Sequence, residues 1–300
     1  MSTTVRGLGL TGDAFARSML EARLWPDGPL APLRDVLVIC GSPRSGTTWL
    51  HNVLITSGRF KGIPADDLAP VGPDPFFTDE NRYIHLSLAQ AVVFGDPESA
   101  PALTFQAACN LVYLRFGVAG ELMIKSPYYC FFMDAMLASG ICRKFVFMKR
   151  RLDDIALSMM KHPHVGALIR SEYQRFFDVI VGPYNLELRY VDANIVDYTV
   201  RNYERLSLFD RALFKSLCFS ASFALGSRAV DKQHVFIFDH EAYGTEPTER
   251  ARFREFARLT EQQGQAIETS FRPPAARREA LPPHDPEYRK AILAIENSLY

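Results

Sequence analysis

A short β-branched run, followed at once by a glycine-rich turn, constrains the fold more than any other feature. Residues 35–40 read DVLVIC, and residues 41–50 read GSPRSGTTWL. Such a run, bounded by turn residues, predicts a strand that is buried on both faces of a parallel sheet. Residues 47–56 predict a helix directly after the turn. A strand, a glycine turn and a helix form the context in which a loop binds phosphate.

The same pattern recurs along the chain. Further strands are predicted at 121–125, 144–149 and 234–239, and helices at 129–138, 152–161, 247–259, about 165–180 and 197–228. Alternating strands and helices predict an α/β fold with three layers, in which helices flank a mostly parallel β-sheet. Ligands on such sheets bind beyond the carboxyl ends of the strands.

The chain is predicted to be one domain over residues 1–300. Its parts are an N-terminal helix and connector (1–34), a core (35–260) and a C-terminal segment (261–300) that ends in a short helix. Residues 58–80 read as a long irregular loop, which in a compact domain is usually functional or mobile. Helices at about 82–94 and 101–116 follow it.

Composition narrows the class of protein. Lys and Arg together number 34 and Asp and Glu also 34, which argues against a broad nucleic-acid or anionic-membrane surface. Five scattered cysteines without a CxxC pair favour a reducing compartment. The sequence has neither a secretory leader nor a membrane-spanning apolar stretch, so the cytoplasm is predicted. Clusters with metal-ligand spacing are lacking, so no metal is predicted.

The turn has the spacing of a phosphate-binding loop but not its lysine. In the pattern GxxxxGK(S/T), Gly41 and Gly46 occupy the glycine positions, and Thr47 stands where the lysine belongs. That lysine reaches the β- and γ-phosphates, so triphosphate cleavage is hard to support without it. The cation is Arg44, inside the loop. It would face the bond beyond the first phosphate, which suits transfer of a group attached to a 5′-phosphate.

A second motif follows the third predicted strand, in MKRRLDDIALSMM. Arg150 ends the strand, and Ser158 lies eight positions later, two turns into the next helix, with Asp154 between them. An arginine fork and a hydroxyl group make a good phosphate clamp. The alternative is a surface cluster of ion pairs formed by Arg150, Arg151, Asp153 and Asp154.

These two motifs resemble those of the sulfotransferases that use 3′-phosphoadenosine 5′-phosphosulfate (PAPS), from about residue 35 to 260. PRSGTTW is similar to their P-K/R-S-G-T-T loop, with the arginine of bacterial and protein-tyrosine branches rather than the cytosolic lysine. The resemblance implies a P-loop-like sulfotransferase fold and PAPS as co-substrate. It implies that the loop residues Ser45, Gly46, Thr47 and Thr48 hold the 5′-phosphate and that Arg44 contacts the sulfuryl group.

The resemblance extends to the nucleoside and the 3′-phosphate. Trp49 would stack on adenine, with core packing as the alternative. Arg150 and Ser158 match the 3′-phosphate motif, although Leu152 replaces its usual proline. In HVFIFDHEAY, His240 takes the place of a tyrosine near the adenine.

The general base is where the sequence departs from the family. Lys125 matches a lysine that would position the sulfuryl group, but Pro127 stands at the cytosolic histidine position and Tyr129 at that of many bacterial members. Other branches of the family place a catalytic carboxylate in the loop after the first helix, so the resemblance implies Asp66 and Asp67 as the first candidates for the base, followed by His85. A solvated acidic loop is the alternative interpretation. A structural role is the default for three other histidines, His51, His162 and His164.

The acceptor is predicted to be a small or lipid-like molecule with a hydroxyl or amine group, and a carrier-tethered or peptide acceptor stays open as the alternative. Eight aromatic residues suggest an apolar pocket, and core packing explains many of them equally well: Phe76, Phe77, Tyr83, Phe105, Tyr128, Tyr129, Phe131 and Phe132. Two other functions stay open. One is a P-loop kinase of a small molecule, and the other is a non-catalytic nucleotide-binding relative.

Overall fold

The computed structural model describes residues 4–5, 10–11, 36–60, 123–138, 140, 142–170, 191–273 and 280–300. The strands are β1 (Thr4–Val5), β2 (Leu10–Thr11), β3 (Val36–Gly41), β4 (Met123–Lys125), β5 (Cys142–Lys149) and β6 (Val235–Asp239). The helices are α1 (Thr47–Thr56), α2 (Met133–Ala138), α3 (Leu152–Lys161), α4 (Pro163–Arg170), α5 (Ala193–Asn202), α6 (Leu208–Ser227), α7 (His240–Thr245), α8 (Pro247–Phe256), α9 (Glu261–Ser270) and α10 (Pro286–Leu299).

A parallel four-stranded sheet organises the described residues. Its strand order is β4-β3-β5-β6, and each neighbouring pair is parallel. Strand β3, which precedes the glycine-rich loop, is therefore central, and the loops after β3, β4, β5 and β6 all leave the same edge of the sheet. The predicted α/β fold, with helices flanking a parallel sheet, is confirmed. Separately, β1 and β2 pair as a short antiparallel hairpin.

Alternate residues of the central strand enter two apolar cores. Val36, Val38 and Cys40 belong to the larger core, which includes side chains of α3, α6 and α10. Leu37 and Ile39 belong to the smaller core, formed with side chains of α1, α8 and α9. Both faces of β3 are thus covered, which explains why its sequence is continuously apolar rather than alternating.

Several predicted boundaries are wrong. The helix predicted at 129–138 begins as a 3₁₀ segment, Pro127–Phe132, and continues as α2, because its aromatic side chains Tyr129, Phe131 and Phe132 are all buried and cannot share one helical face. The helix predicted at 197–228 is two helices, since Ser207 caps a new one by accepting from the Asp210 amide.

The C-terminal segment holds more helix than predicted. Helix α9 went unpredicted, and its capping box joins Thr260 and Gln263 reciprocally. The final helix, α10, has 14 residues and is not short. The predicted N-terminal helix and the helices at 82–94 and 101–116 lie outside the described residues.

Candidate nucleotide site

The loop between β3 and α1 has a backbone that requires its glycines. Gly46, with φ 104°, caps α1. A Cβ atom on Gly46 would lie 2.8 Å from His240 Nε2, and one on Gly41 would lie 2.8 Å from Ser45 Oγ. Arg44 itself has a positive φ of 74°. Any side chain at Gly41 or Gly46 would therefore meet a neighbouring atom and would also strain the left-handed backbone, so both positions need glycine.

The N-terminus of α1 is available to an anion. No side chain of the described residues caps this helix, and its first turn has no acidic residue. The backbone N–H groups of a first turn lack intrahelical partners and carry a partial positive charge. Thr47 is buried, whereas Thr48 is exposed at this end of the helix.

Unpaired buried polar atoms concentrate around the same loop. Within the described part of the chain, five such atoms adjoin it, namely Ser42 Oγ, Ser45 Oγ, Trp49 Nε1, Arg150 Nε and His240 Nε2. Buried polar groups in folded proteins are nearly always hydrogen-bonded, because each unmet group costs about 1–3 kcal/mol. A cluster of five indicates a site built to receive a polar ligand.

Arg44 joins the two sequence motifs directly. Its Nε donates to Ser158 Oγ at 3.2 Å, across 114 positions of the sequence. Arg150 Nη1 lies 3.5 Å from the Arg44 carbonyl oxygen, at the limit of a hydrogen bond. The sequence predicted Arg44 at the transferring group and Ser158 at the second phosphate. The fold places the two side chains in contact, so the two motifs lie side by side beyond the ends of β3 and β5.

Positive charge accumulates where these motifs meet. Burial is the main reason that the pKa of Arg150 is lowered; Asp154 opposes this effect, and Arg151 and Arg44 add to it. Arg151 is held by Asp154 at 2.8 Å and by Glu241 at 2.9 Å. The alternative interpretation of this motif, a surface cluster of ion pairs, therefore holds for Arg151 and Asp154. Arg150 and Arg44 have no carboxylate partner within the described residues, and an anion between them would relieve their repulsion.

An aromatic wall closes the other side of the loop. The Trp49 ring packs against Phe238, His240 and Phe271, with centroid distances of 5.9, 6.1 and 5.5 Å. Burial, then the charge of Arg150, lowers the pKa of His240 to about 4, against weaker opposing effects of the Ser45 backbone and Asp239. Its imidazole is thus neutral at physiological pH. Trp49 and His240, predicted separately, are neighbours.

The end of β4 contributes a buried lysine. Lys125 ends β4 in register with Ile39 and is buried. The Ser126 amide donates to the Ile39 carbonyl oxygen at 3.1 Å, which fixes this segment against β3. Tyr129 is fully buried in the larger core and is not placed to take a proton.

The predicted base and acceptor pocket are described only in part. Asp66, Asp67 and His85 lie outside the described residues, as do Phe76, Phe77, Tyr83 and Phe105. Phe131 and Phe132 are buried in the larger core, which favours the packing alternative for both. Over the described ranges, no group of three or more potential metal ligands occurs, and no helix is long and apolar enough to cross a membrane.

Sequence reasoning missed a charged cluster under the C-terminal helix. Arg289 holds the Asp153 carboxylate with bonds of 2.9 and 2.5 Å, so α10 is fastened to α3, the helix that carries Ser158. Lys149 pairs with Asp239 at 3.4 Å. Nearby Glu296 is buried, and burial raises its pKa to about 7. The only sequence signal was an acidic residue on the apolar side of α10.

Comparison with solved structures identifies the fold. The chain matches sulfotransferase STF9 from Mycobacterium avium with 13% identity and a TM-score of 0.51, over 95% of this chain and 83% of that one. It matches sulfotransferase STF1 from Mycobacterium tuberculosis H37Rv with 14% identity and a TM-score of 0.50, over 95% and 81%. No protein-family model matches the sequence, and a search of curated proteins gives no significant match. At this level of identity the likeness is one of fold, and the fold of this chain is that of these two bacterial sulfotransferases.

Proposed function

We propose that this chain is a sulfotransferase that moves a sulfuryl group from PAPS to a hydroxyl or amine group of a small or lipid-like acceptor. The cluster of five unpaired buried polar atoms around the loop, beside two arginines without carboxylate partners among the described residues, carries the proposal. A nucleotide with a phosphate at each end of its ribose matches that arrangement. The fold shared with bacterial sulfotransferases supports it.

The residues present fit the two phosphates of PAPS. The N-terminus of α1, with Ser45, Gly46, Thr47 and Thr48, would hold the 5′-phosphate by backbone N–H groups and hydroxyls. Arg150 and Ser158 would hold the 3′-phosphate, since a guanidinium fork and a hydroxyl donate in complementary directions. The Nε atom of Arg150 is buried and unpaired, so its N–H group could donate a hydrogen bond to a phosphate oxygen.

The aromatic wall fits the base. Trp49 offers a ring to stack on adenine, and the buried Nε2 of neutral His240 offers a polar contact to an uncharged base. A protonated histidine would be a poor neighbour for Arg150, which is the physical reason that a neutral ring suits this position.

Catalysis would rest on positioning and charge. In an in-line transfer, negative charge develops on the oxygen that bridges the 5′-phosphate and the sulfur, and a fixed cation stabilises it. Arg44 would supply this charge, and it cannot act as an acid because a guanidinium keeps its protons. Lys125, at the end of the neighbouring strand, would orient the sulfuryl group.

The kinase alternative is weaker because position 47, where the phosphate-binding loop of a kinase has its lysine, is a buried threonine at the start of α1. The alternative of a non-catalytic nucleotide-binding protein is supported by Pro127 and Tyr129, because neither residue supplies a base at the positions where the family has histidine.

Transfer of radiolabelled sulfate from PAPS to a panel of phenols, alcohols and amines tests the proposal. Wild-type chain should label at least one acceptor class, and Arg44→Ala should lower the rate by about 100-fold or more, as loss of one electrostatic stabiliser does. The control is Arg201→Ala, an exposed residue paired with Asp197, which should leave transfer unchanged. Absence of transfer by wild type, or full activity of Arg44→Ala, would contradict the proposal.

A further inference from the structure

Beside Arg44 and Arg150, a third arginine lies at the edge of the proposed nucleotide site. Arg151 follows Arg150 directly, and it is not one of the residues on which the resemblance to the sulfotransferases rests. It is the N-cap residue of α3, and 43% of its side chain is exposed. Its charge is therefore open to solvent and to a ligand at this edge of the sheet.

Arg151 joins two segments that leave neighbouring strands. Its Nε atom donates to Asp154 Oδ2 at 2.9 Å and lies 2.9 Å from Glu241 Oε1. Asp154 is in the first turn of α3, after β5, and Glu241 is in the first turn of α7, after β6. Because β5 and β6 are adjacent and parallel, the ion pair spans the gap between the segments that carry Arg150 and His240.

The contact with Asp154 places the Arg151 charge next to the clamp proposed for the 3′-phosphate. Residues four apart on a helix lie one above the other, with Cβ atoms about 5–6 Å apart, so Asp154 and Ser158 are neighbours on one face of α3. Asp154 holds Arg151, and Ser158 accepts from Arg44. Burial, then the nearby charges of Arg151 and Arg44, lower the pKa of Arg150, and Asp154 opposes them. The three guanidinium groups are thus grouped around one point.

The two carboxylates that contact Arg151 differ in strength. The Asp154 side chain is 12% exposed and belongs to the same helix, whereas the Glu241 side chain is 52% exposed. Exposed ion pairs contribute little to stability, so the Glu241 contact is the weaker of the two.

The guanidinium group keeps donors for a further anion. Its Nε and Nη2 atoms face Asp154 at 2.9 and 2.8 Å, and its Nη1 atom has no hydrogen-bond or ion-pair partner within the described ranges. A phosphate group carries up to about two negative charges and binds arginine through two parallel hydrogen bonds. Such a group therefore binds Arg151 more strongly than the single carboxylate oxygen of Glu241 does.

We propose that Arg151 is a further binding residue for the 3′-phosphate and that Glu241 competes with the phosphate for it, an inference that rests on the proposed function. In the free protein Glu241 contacts the guanidinium group. In the complex the 3′-phosphate takes its place, while Asp154 keeps its contact. The exchange makes the site selective, because a nucleotide without a 3′-phosphate leaves the pair of Arg151 and Glu241 intact and gains nothing from it.

Calorimetric titration of the full chain with two nucleotides tests this role. Adenosine 3′,5′-bisphosphate and adenosine 5′-monophosphate differ only in the 3′-phosphate. Arg151→Gln should lower the affinity for the bisphosphate by about tenfold or more, as loss of a charged hydrogen bond does, and should leave the affinity for the monophosphate unchanged. The control is Arg201→Gln, which removes an exposed, ion-paired arginine of α5 and should change neither affinity.

Glu241→Gln should have the opposite effect. It removes the competitor for Arg151, so the affinity for the bisphosphate should increase by about two- to fivefold, the range for one exposed ion pair, with the affinity for the monophosphate unchanged. The matched control is Glu246→Gln, which removes the same charge from an exposed residue just before α8. The increase should disappear when Glu241→Gln is combined with Arg151→Gln, because the two effects depend on one contact.

The outcomes separate the two proposals. If Arg151→Gln binds the bisphosphate like wild type, or loses affinity for both nucleotides equally, Arg151 does not bind the 3′-phosphate and the proposed function stands. If Glu241→Gln binds the bisphosphate no more tightly than wild type, or if its increase persists without Arg151, the exchange is wrong. If wild type binds neither nucleotide, the proposed function fails, and the role of Arg151 fails with it.

Discussion

Replacing Glu296 by glutamine should change how the stability of the protein depends on pH. Glu296 lies on α10, buried near Lys149, Asp153 and Asp239. Burial is the largest cause that raises its pKa, Lys149 opposes it, and the two aspartates add to it. Glutamine keeps the shape of the side chain and removes the ionisable proton.

The size of the effect follows from linkage between protonation and folding. The pKa of Glu296 rises from 4.5 to about 7 in the folded state. Between these values the folded chain keeps a proton that the unfolded chain has lost, so stability falls as pH rises. The full loss above the folded pKa is about 3 kcal/mol, because each pH unit between the two pKa values contributes about 1.4 kcal/mol.

Urea unfolding at about pH 5 and about pH 7.5 measures this contribution. The free energy of unfolding of Glu296→Gln, minus that of wild type, should increase by about 2–3 kcal/mol from the lower to the higher pH. The control is Glu287→Gln, an exposed residue of the same helix, whose difference from wild type should not change. A difference for Glu296→Gln that is constant with pH would refute the reasoning.

Three further substitutions test other parts of the structure. Folding lowers the pKa of His240 from 6.5 to about 4, so the free energy of unfolding of wild type should fall by about 3 kcal/mol as the pH is lowered through that range. In urea unfolding, His240→Phe should not show this fall. Gly46→Ala should lower Tm by several degrees, because a Cβ atom at φ 104° would lie 2.8 Å from His240 Nε2. Thr260→Ala should cost about 1 kcal/mol in urea unfolding by opening the capping box of α9, with nucleotide affinity unchanged.

Local patterns predicted the parts of the fold that local physics decides. The strand before the loop is apolar at every position because both of its faces are covered, and α1 begins and ends as predicted, at Thr47 and Thr56. The four strands of the parallel sheet follow from the same kind of run. Helix α9 was not predicted because its sequence EQQGQAIETS has little apolar periodicity. Its start is marked only by the two side chains of the capping box, Thr260 and Gln263.

Contacts between distant residues lay beyond sequence reasoning. Arg44 and Ser158 were each recognised, but only the order of β3 and β5 in the sheet places them together. The burial of Glu296 likewise depends on how α10 lies against the ends of β5 and β6.

Calorimetric titration with adenosine 3′,5′-bisphosphate, beside ATP with Mg²⁺, tests the proposed nucleotide site most directly. We expect micromolar binding of the bisphosphate, little binding of ATP, and a loss of about tenfold or more in bisphosphate affinity for Arg150→Ala, as removal of a charged hydrogen bond gives. Preference for ATP, binding of neither nucleotide, or unchanged affinity in Arg150→Ala would contradict the site as described.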